Sequence, residues 1–162
     1  MAEKKSITYS SVWKKLSSID VGSKVKEKGG LSYLSWAWAW ETLMEHYPQA
    51  EYQFHPETVL EDSSVMVNCE VWIPYGDESA LSRTMWLAVM DYRNQAIPSP
   101  PATSVANTRM RCLTKCLAMF GLGHYIYAGE DLPSAKTEEL FSEIKMIAKT
   151  LGEEELAQVM EA

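Results

Sequence analysis

Long apolar runs are missing from this chain. No stretch reaches the roughly 18 consecutive residues that a membrane-spanning helix requires. The charged start, Met1 to Lys5, leads into no apolar segment of the kind a secretory signal carries. Both absences place the expected site of action in the cytoplasm. Cysteine is scarce as well: Cys69, Cys112 and Cys116 are too few and too unevenly spaced for a disulfide framework. Cys112 and Cys116 stand one helical turn apart and could be drawn with His124 as metal ligands. A zinc site wants a second clear ligand pair, and none is there. Small core residues are the better reading, since free cysteine is among the most buried residue types. Gly121, Gly123 and Gly129 follow a helix-like run instead of opening one, and no Gly-Lys-Ser/Thr comes after them, so they make no phosphate loop. Glu130 and Asp131 are a lone acidic pair without histidine or further carboxylates nearby. Neither a metal site nor a catalytic carboxylate cluster is expected.

Positive charge is in the minority. The 15 Lys and Arg face 22 Asp and Glu, for a net charge of −7. Such a balance argues against a nucleic-acid binder until its distribution is followed. Residues 1–30 hold seven lysines against Glu3, Asp20 and Glu27. Residues 31–131 hold five basic and twelve acidic side chains. Yet the five basic ones, Arg83, Arg93, Arg109, Arg111 and Lys115, fall in one stretch with only Asp91 as an acid among them. Four are arginine, whose planar fork suits phosphate. Residues 132–162 are acidic again, with three basic against seven acidic side chains. Two locally basic segments fit either a phosphate-binding surface or ordinary charge variation on a solvated one; charge alone does not choose.

What is present is an ordered, aromatic-rich chain. Its 162 residues, 46% hydrophobic and 10% aromatic, suffice for one domain with a sizeable core. Residues 1–30 read as a basic N-terminal lead. A short helix over Ser10–Leu16 turns Val12, Trp13 and Leu16 inward, and a mobile Lys- and Gly-rich loop runs from Gly22 to Gly30. Residues 31–133 form the core domain. Its first helix is expected over Leu31–Tyr47, capped by Ser32 or Ser35, with Trp36, Ala39, Trp40, Leu43 and Met44 at helical spacing and Pro48 as the stop.

Three strand-like segments follow. Glu51 to Leu60 carries Pro56 at an edge or bulge. Ser64 to Pro74 alternates, with Val65, Val67, Cys69, Val71 and Ile73 on one face and Asn68 and Glu70 on the other. Leu81 to Tyr92 sets Leu81, Arg83, Met85, Leu87 and Val89 in one row. Short polar connections imply an antiparallel meander. The proline-rich stretch Ile97 to Ala102 is a loop, and a second helix runs from about Ser104 to Phe120, ended by Gly121. Residues 134–162 read as an acidic amphipathic helical tail. It packs on its own or a neighbouring subunit, or else contacts a partner. The expected fold class is α+β: an N-terminal helix, a three-stranded antiparallel β-meander and a long following helix, plus the helical tail.

Three blocks are compositionally unusual. They are Gly29-Gly-Leu-Ser-Tyr-Leu-Ser-Trp-Ala-Trp-Ala-Trp40, then Met90-Asp-Tyr-Arg-Asn-Gln-Ala-Ile97, then Asn107 to Pro133 with its Leu113-Thr-Lys-Cys-Leu117 segment. In order and spacing they resemble the phage single-strand DNA annealing proteins of the Sak type. Those are distant relatives of the eukaryotic annealing protein of the radiation-repair group and of the Redβ, RecT and Erf annealing proteins. The resemblance covers about residues 20–133. It implies a β-β-β-α core, a homo-oligomeric ring or filament, and a groove holding single-stranded DNA. It also implies strand annealing in phage homologous recombination and repair, with no catalysis, no cofactor and no nucleotide. A bacterial host's cytoplasm is the implied setting. A host single-strand binding protein or a phage exonuclease is the candidate protein partner. In the eukaryotic relative the helix after the strands carries basic residues into the groove. The matching stretch here is Arg109 to Phe120, with Lys115 as nearest counterpart, whereas Thr114 and Ala118 stand where that relative has further basic groups.

The residues themselves agree in kind. Arg111 and Lys115 are i, i+4 and share a helix face, while Arg109 lies well round the axis. Arg83 and Arg93 are expected near the two ends of the third strand. If that strand and the helix line one concave surface, these positive groups converge on it. Phosphate contacts hold a backbone without reading sequence, which leaves base edges free to pair. For each residue the alternative is a plain surface charge or an intersubunit salt bridge. Asp91 fits a structured turn, pairing with Arg93 or a neighbouring subunit, better than an acid–base role. Tyr92 is either a base-stacking group or a core residue. Trp36 and Trp40 share one face of their helix and Trp38 the opposite one. A monomer rarely leaves large apolar groups in water on both sides, so one face is expected in the core and the other at an oligomer interface. Two further readings compete with annealing: a protective single-stranded nucleic-acid-binding module that does not pair strands, and a metal-dependent nuclease using Asp91.

Overall fold

The computed structural model describes residues 6–28, 31–128, 142–150 and 152. The chain divides into two compact units, Met1–Ile126 and Tyr127–Ala162. In the first, helix α1 spans Tyr9–Ser17. Its start is a reciprocal cap: the Thr8 hydroxyl accepts from the Ser11 N–H at 3.0 Å, and the Ser11 hydroxyl oxygen accepts from the Thr8 N–H at 2.9 Å. Val12 and Leu16 are buried as their spacing predicts. Trp13 is not; its ring lies partly exposed, 4.7 Å from that of His124.

The segment expected to be a mobile loop is ordered in part. Val25–Lys28 forms strand β1, antiparallel to β2 at Leu31–Leu34, with Val25 opposite Leu34. The first long helix therefore starts later than its periodicity predicts: α2 spans Trp36–His46, with Ser35 at its N-cap. The physical reason is the partner strand. Leu31–Leu34 also reads with period two, Leu34 is buried, and pairing with Val25 decides between two local patterns. On α2 the buried stripe is Ala39, Thr42 and Leu43. Trp38 and Trp40 flank that stripe on either side and are both half-buried against the core, so the helix does not divide its tryptophans into a core face and an opposite open face. Trp40 meets Tyr52 edge-on at 5.0 Å. Trp36 remains exposed.

The meander is present: β3 (Glu51–Val59), β4 (Val65–Tyr75) and β5 (Ser79–Ala88) form an antiparallel sheet in that order. The register slips between His55 and Thr58, which puts Pro56 in a bulge, where its missing N–H costs no ladder bond. Val67, Cys69, Val71 and Ile73 fill the inner face of β4, opposite Leu87, Met85, Arg83 and Leu81 of β5. Helix α3 (Ala102–Ala118) lies on that face through Cys112, Leu113, Cys116 and Leu117. Each fully buried leucine there stabilises the fold by about 1.5–3 kcal/mol. All three cysteines are free and buried. Burial pushes the Cys112 thiol up to about 12. The neighbouring Cys116 thiol, together with burial, raises that of Cys69. All three are core residues, and Cys69 and Cys112 are kept as neutral thiols.

Beyond α3 the chain turns at Gly121, whose φ of +117° lies outside the range of other residues. A Cβ there would stand 3.0 Å from the Trp13 carbonyl oxygen and 3.1 Å from the Ser17 nitrogen, so α1 and the end of α3 touch through backbone. A short helix α4 (His124–Ala128) follows, and the Tyr125 hydroxyl accepts from the Val21 N–H at 2.9 Å. In the second unit, residues 142–150 are helical. The rest of the predicted tail helix falls outside the described residues. Among the described residues no helix is long and apolar enough to cross a membrane.

Candidate nucleic-acid interface

Helix α3 is covered by the sheet on one side and by α2 on another. At helical spacing along α3 runs a polar stripe, Ser104, Asn107, Arg111 and Lys115. Asn107 and Arg111 are exposed, and Ser104 and Lys115 are half-buried. Arg109, well round the axis, reaches the bulge of β3. Its guanidinium donates to Glu57 Oε1 through Nε at 2.8 Å and again through Nη2, and it lies 5.5 Å over the Phe54 ring. Any phosphate that takes Arg109 must first release Glu57.

Arg83 lies in the middle of β5, opposite Val71, and not at its end as expected. Its guanidinium covers the Tyr9 ring at 4.1 Å. The Tyr9 hydroxyl in turn accepts from the Ser82 N–H at 3.1 Å and donates to the Ser82 carbonyl at 3.3 Å, closing part of the free edge of β5. The Cys116 thiol donates to the Arg83 carbonyl at 3.3 Å, so Arg83 stands beside the last turns of α3, next to the residue that follows Lys115.

Arg93 lies past the far end of β5, with five residues of strand, roughly 17 Å, separating Ala88 from Arg83. It occupies a tight turn built by Asp91. One carboxylate oxygen of Asp91 accepts from the N–H of Arg93 at 2.8 Å and of Gln95 at 3.1 Å, Asn94 takes a left-handed φ of 60°, and Met90 bridges Ala96. This is the structured turn expected of Asp91, bonded to the Arg93 backbone. Tyr92, at the tip, is 86% exposed, which removes the core alternative. Arg93 braces it: Nε donates to the Tyr92 hydroxyl at 2.9 Å, with the guanidinium 5.3 Å from the ring centre. The structure thus brings Arg83 near the Arg111–Lys115 end of α3 but draws Arg109 to β3 and sets Tyr92 and Arg93 apart as a projecting tip.

Asn68 and Glu70, on the polar face that alternation predicts for β4, have partners on both neighbouring strands. The outer face carries a hydrogen-bonded set: His55 Nε2 to Glu70 at 2.7 Å, the Ser82 hydroxyl to Glu70 at 3.0 Å, and the Trp72 indole N–H to Glu51 at 2.9 Å. The same period-two pattern would have found it. His55 and then Ser82 hold the Glu70 carboxyl below its ordinary range, and Arg109 does so for Glu57. A lowered folded-state value means stability that is fully present above the ordinary value of 4.5 and is lost as pH falls through the lowered one. Acid unfolding is therefore expected to begin below about pH 4.5. The double variant Glu57→Gln/Glu70→Gln should flatten the slope of melting temperature against pH in that window, by calorimetry.

A cationic helix stripe and a braced aromatic tip suit a polynucleotide whose bases are unstacked. The family profile of the Sak Single Strand Annealing Protein matches residues 11–155, and the chain belongs to that family. No curated protein compared with it matches. Single-strand annealing, DNA binding and recombination are what the family supports for this chain.

Proposed function

We propose that the protein holds single-stranded DNA along an oligomeric groove and anneals complementary strands in phage homologous recombination, without ATP and without catalysis. The observation that carries this reading is the Arg111–Lys115 pair, basic and on one face of α3 in an otherwise acidic core segment, with Arg111 exposed. Cations placed on phosphates bind any sequence and leave base edges free, which pairing requires. The groove runs along α3, with Arg83 at one end, Arg109 available once Glu57 lets go, and Tyr92 and Arg93 as a stacking tip. Residues 31–133 form the annealing domain, 1–30 a basic lead and 134–162 a tail for a neighbouring subunit or a partner such as a host single-strand binding protein. Trp36 belongs to the subunit contact. The bacterial host's cytoplasm is the setting.

Mixing two complementary labelled oligonucleotides without nucleotide tests the reading. Acceleration supports it, whereas tight binding without acceleration would point to a protective binding module. Tyr92→Ala is expected to weaken single-strand binding by about 5–100-fold, the loss of one base stack. It should leave the salt dependence and the melting temperature unchanged, since Tyr92 touches little of the fold. A fluorescence titration at two salt concentrations reads both. An unchanged affinity would remove Tyr92 from the groove.

A further inference from the structure

We infer that the outer face of the three-stranded sheet seats a second copy of this chain, presented through that copy's first hairpin. The inference rests on the reading that the protein works as an assembly. The outer row runs across all three strands, with Glu51 opposite Trp72 and Ser82, and His55 opposite Asn68 and Trp86. It is open: Trp86, on the edge strand β5, is 60% exposed. A tryptophan left in water on an uncovered sheet marks a contact surface. The ionisable groups on the paired outer positions are Glu51, His55 and Glu70, with no lysine or arginine among them. Such a face repels a polyanion, so DNA is not its occupant.

The complementary surface is on the same chain. Lys24 and Lys26 are exposed at the first hairpin, and the exposed Trp36 opens α2 directly after it. A face with two carboxylates and an exposed tryptophan on its edge strand thus has a positive, tryptophan-bearing match on the next copy. The two patches are different surfaces, so the contact is head-to-tail. Head-to-tail contacts close into rings or run on as filaments, and do not stop at a two-fold dimer. Lysines engaged in this way serve the assembly, and the α3 stripe is left to the DNA.

Charge reversal tests the inference. One variant, Glu51→Lys/Glu70→Lys, makes the face positive like the hairpin. Another, Lys24→Glu/Lys26→Glu, makes the hairpin negative like the face. Each alone should fail to assemble, with self-association at least about a hundredfold weaker and light scattering, without DNA, falling towards 18.3 kDa. Mixed in equal amounts they should assemble again, because each face now meets an opposite hairpin. Trp86→Glu, at an exposed site that folding tolerates, should also lower the mass while circular dichroism stays native. A monomeric native chain, native mass in either reversed variant alone, an unaffected Trp86→Glu variant, or no recovery on mixing folded variants would each overturn the proposal. If the lysine variant keeps its mass but loses DNA binding, the hairpin belongs to DNA instead. Annealing is assayed separately: an assembly that behaves as described but does not anneal would sink the proposed function and leave this contact standing.

Discussion

Replacing Arg111 and Lys115 together by alanine is expected to abolish strand annealing while the fold survives. Arg111 is exposed and Lys115 half-buried, and both lie on one polar stripe of α3. Their loss opens no cavity in the buried core formed by Cys112, Leu113, Cys116 and Leu117. Single-strand binding should weaken about 10–100-fold at moderate salt. Each phosphate contact contributes about 0.7 to the slope of log affinity against log salt for a single strand, so that slope should fall by about 1.4. The slope is the sharper readout, since a loss of folding would lower affinity without such a defined change. Salt titrations of a labelled oligonucleotide, with a thermal melt beside them, measure both. A native slope in the folded double variant would move the groove off α3, towards Arg83 and the N-terminal lysines.

Gly121→Ala is expected to destabilise the protein by about 2–4 kcal/mol, seen as a melting temperature lower by roughly 5–15 °C. Two costs combine there. A side chain at φ +117° is strained whatever surrounds it, and the new Cβ meets backbone atoms of Trp13 and Ser17 at 3.0 and 3.1 Å. Backbone cannot swing aside as a lysine end can, so α1 must shift away from the end of α3. Gly76→Ala separates the two costs: its φ of +66° is also positive, but nothing lies within 4 Å of the added carbon. That control should lose only about 1–2 kcal/mol. Equal losses at both positions would mean that the α1–α3 contact carries no weight. A larger loss at Gly121 would be consistent with its close backbone approach to Trp13 and Ser17 helping to fasten the basic α1, with Lys14 and Lys15, to the end of the candidate groove helix.

Much of the architecture was legible in the residues alone. Period two in Val65–Ile73 and in Leu81–Val89 predicts strands with a defined inner row, because side chains alternate strictly across a sheet. Short polar turns leave antiparallel pairing as the available connection, and Pro56 marks the bulge because it has no N–H to give. Arg111 and Lys115 share a helix face by spacing, and Arg109 leaves it for the same reason. Asp91 and Asn94 announce a turn, since their short side chains bond nearby backbone.

Other features depend on partners distant in sequence, which no local pattern names. Leu31–Leu34 suits a helix or a strand, and only Val25 across the hairpin decides. Trp38 and Trp40 look like opposite faces until the folded core takes up both flanks of the Ala39–Leu43 stripe. Arg109 reads as a free cation until the bulge brings Glu57 to it, and Arg83 until Tyr9 lies beneath it. Periodicity and turn chemistry are properties of the covalent chain. Which charges pair with which is settled by contacts between elements, so the sequence by itself determined most of the elements and the family, while the tertiary structure alone decided where each basic group is placed and what lies beside it.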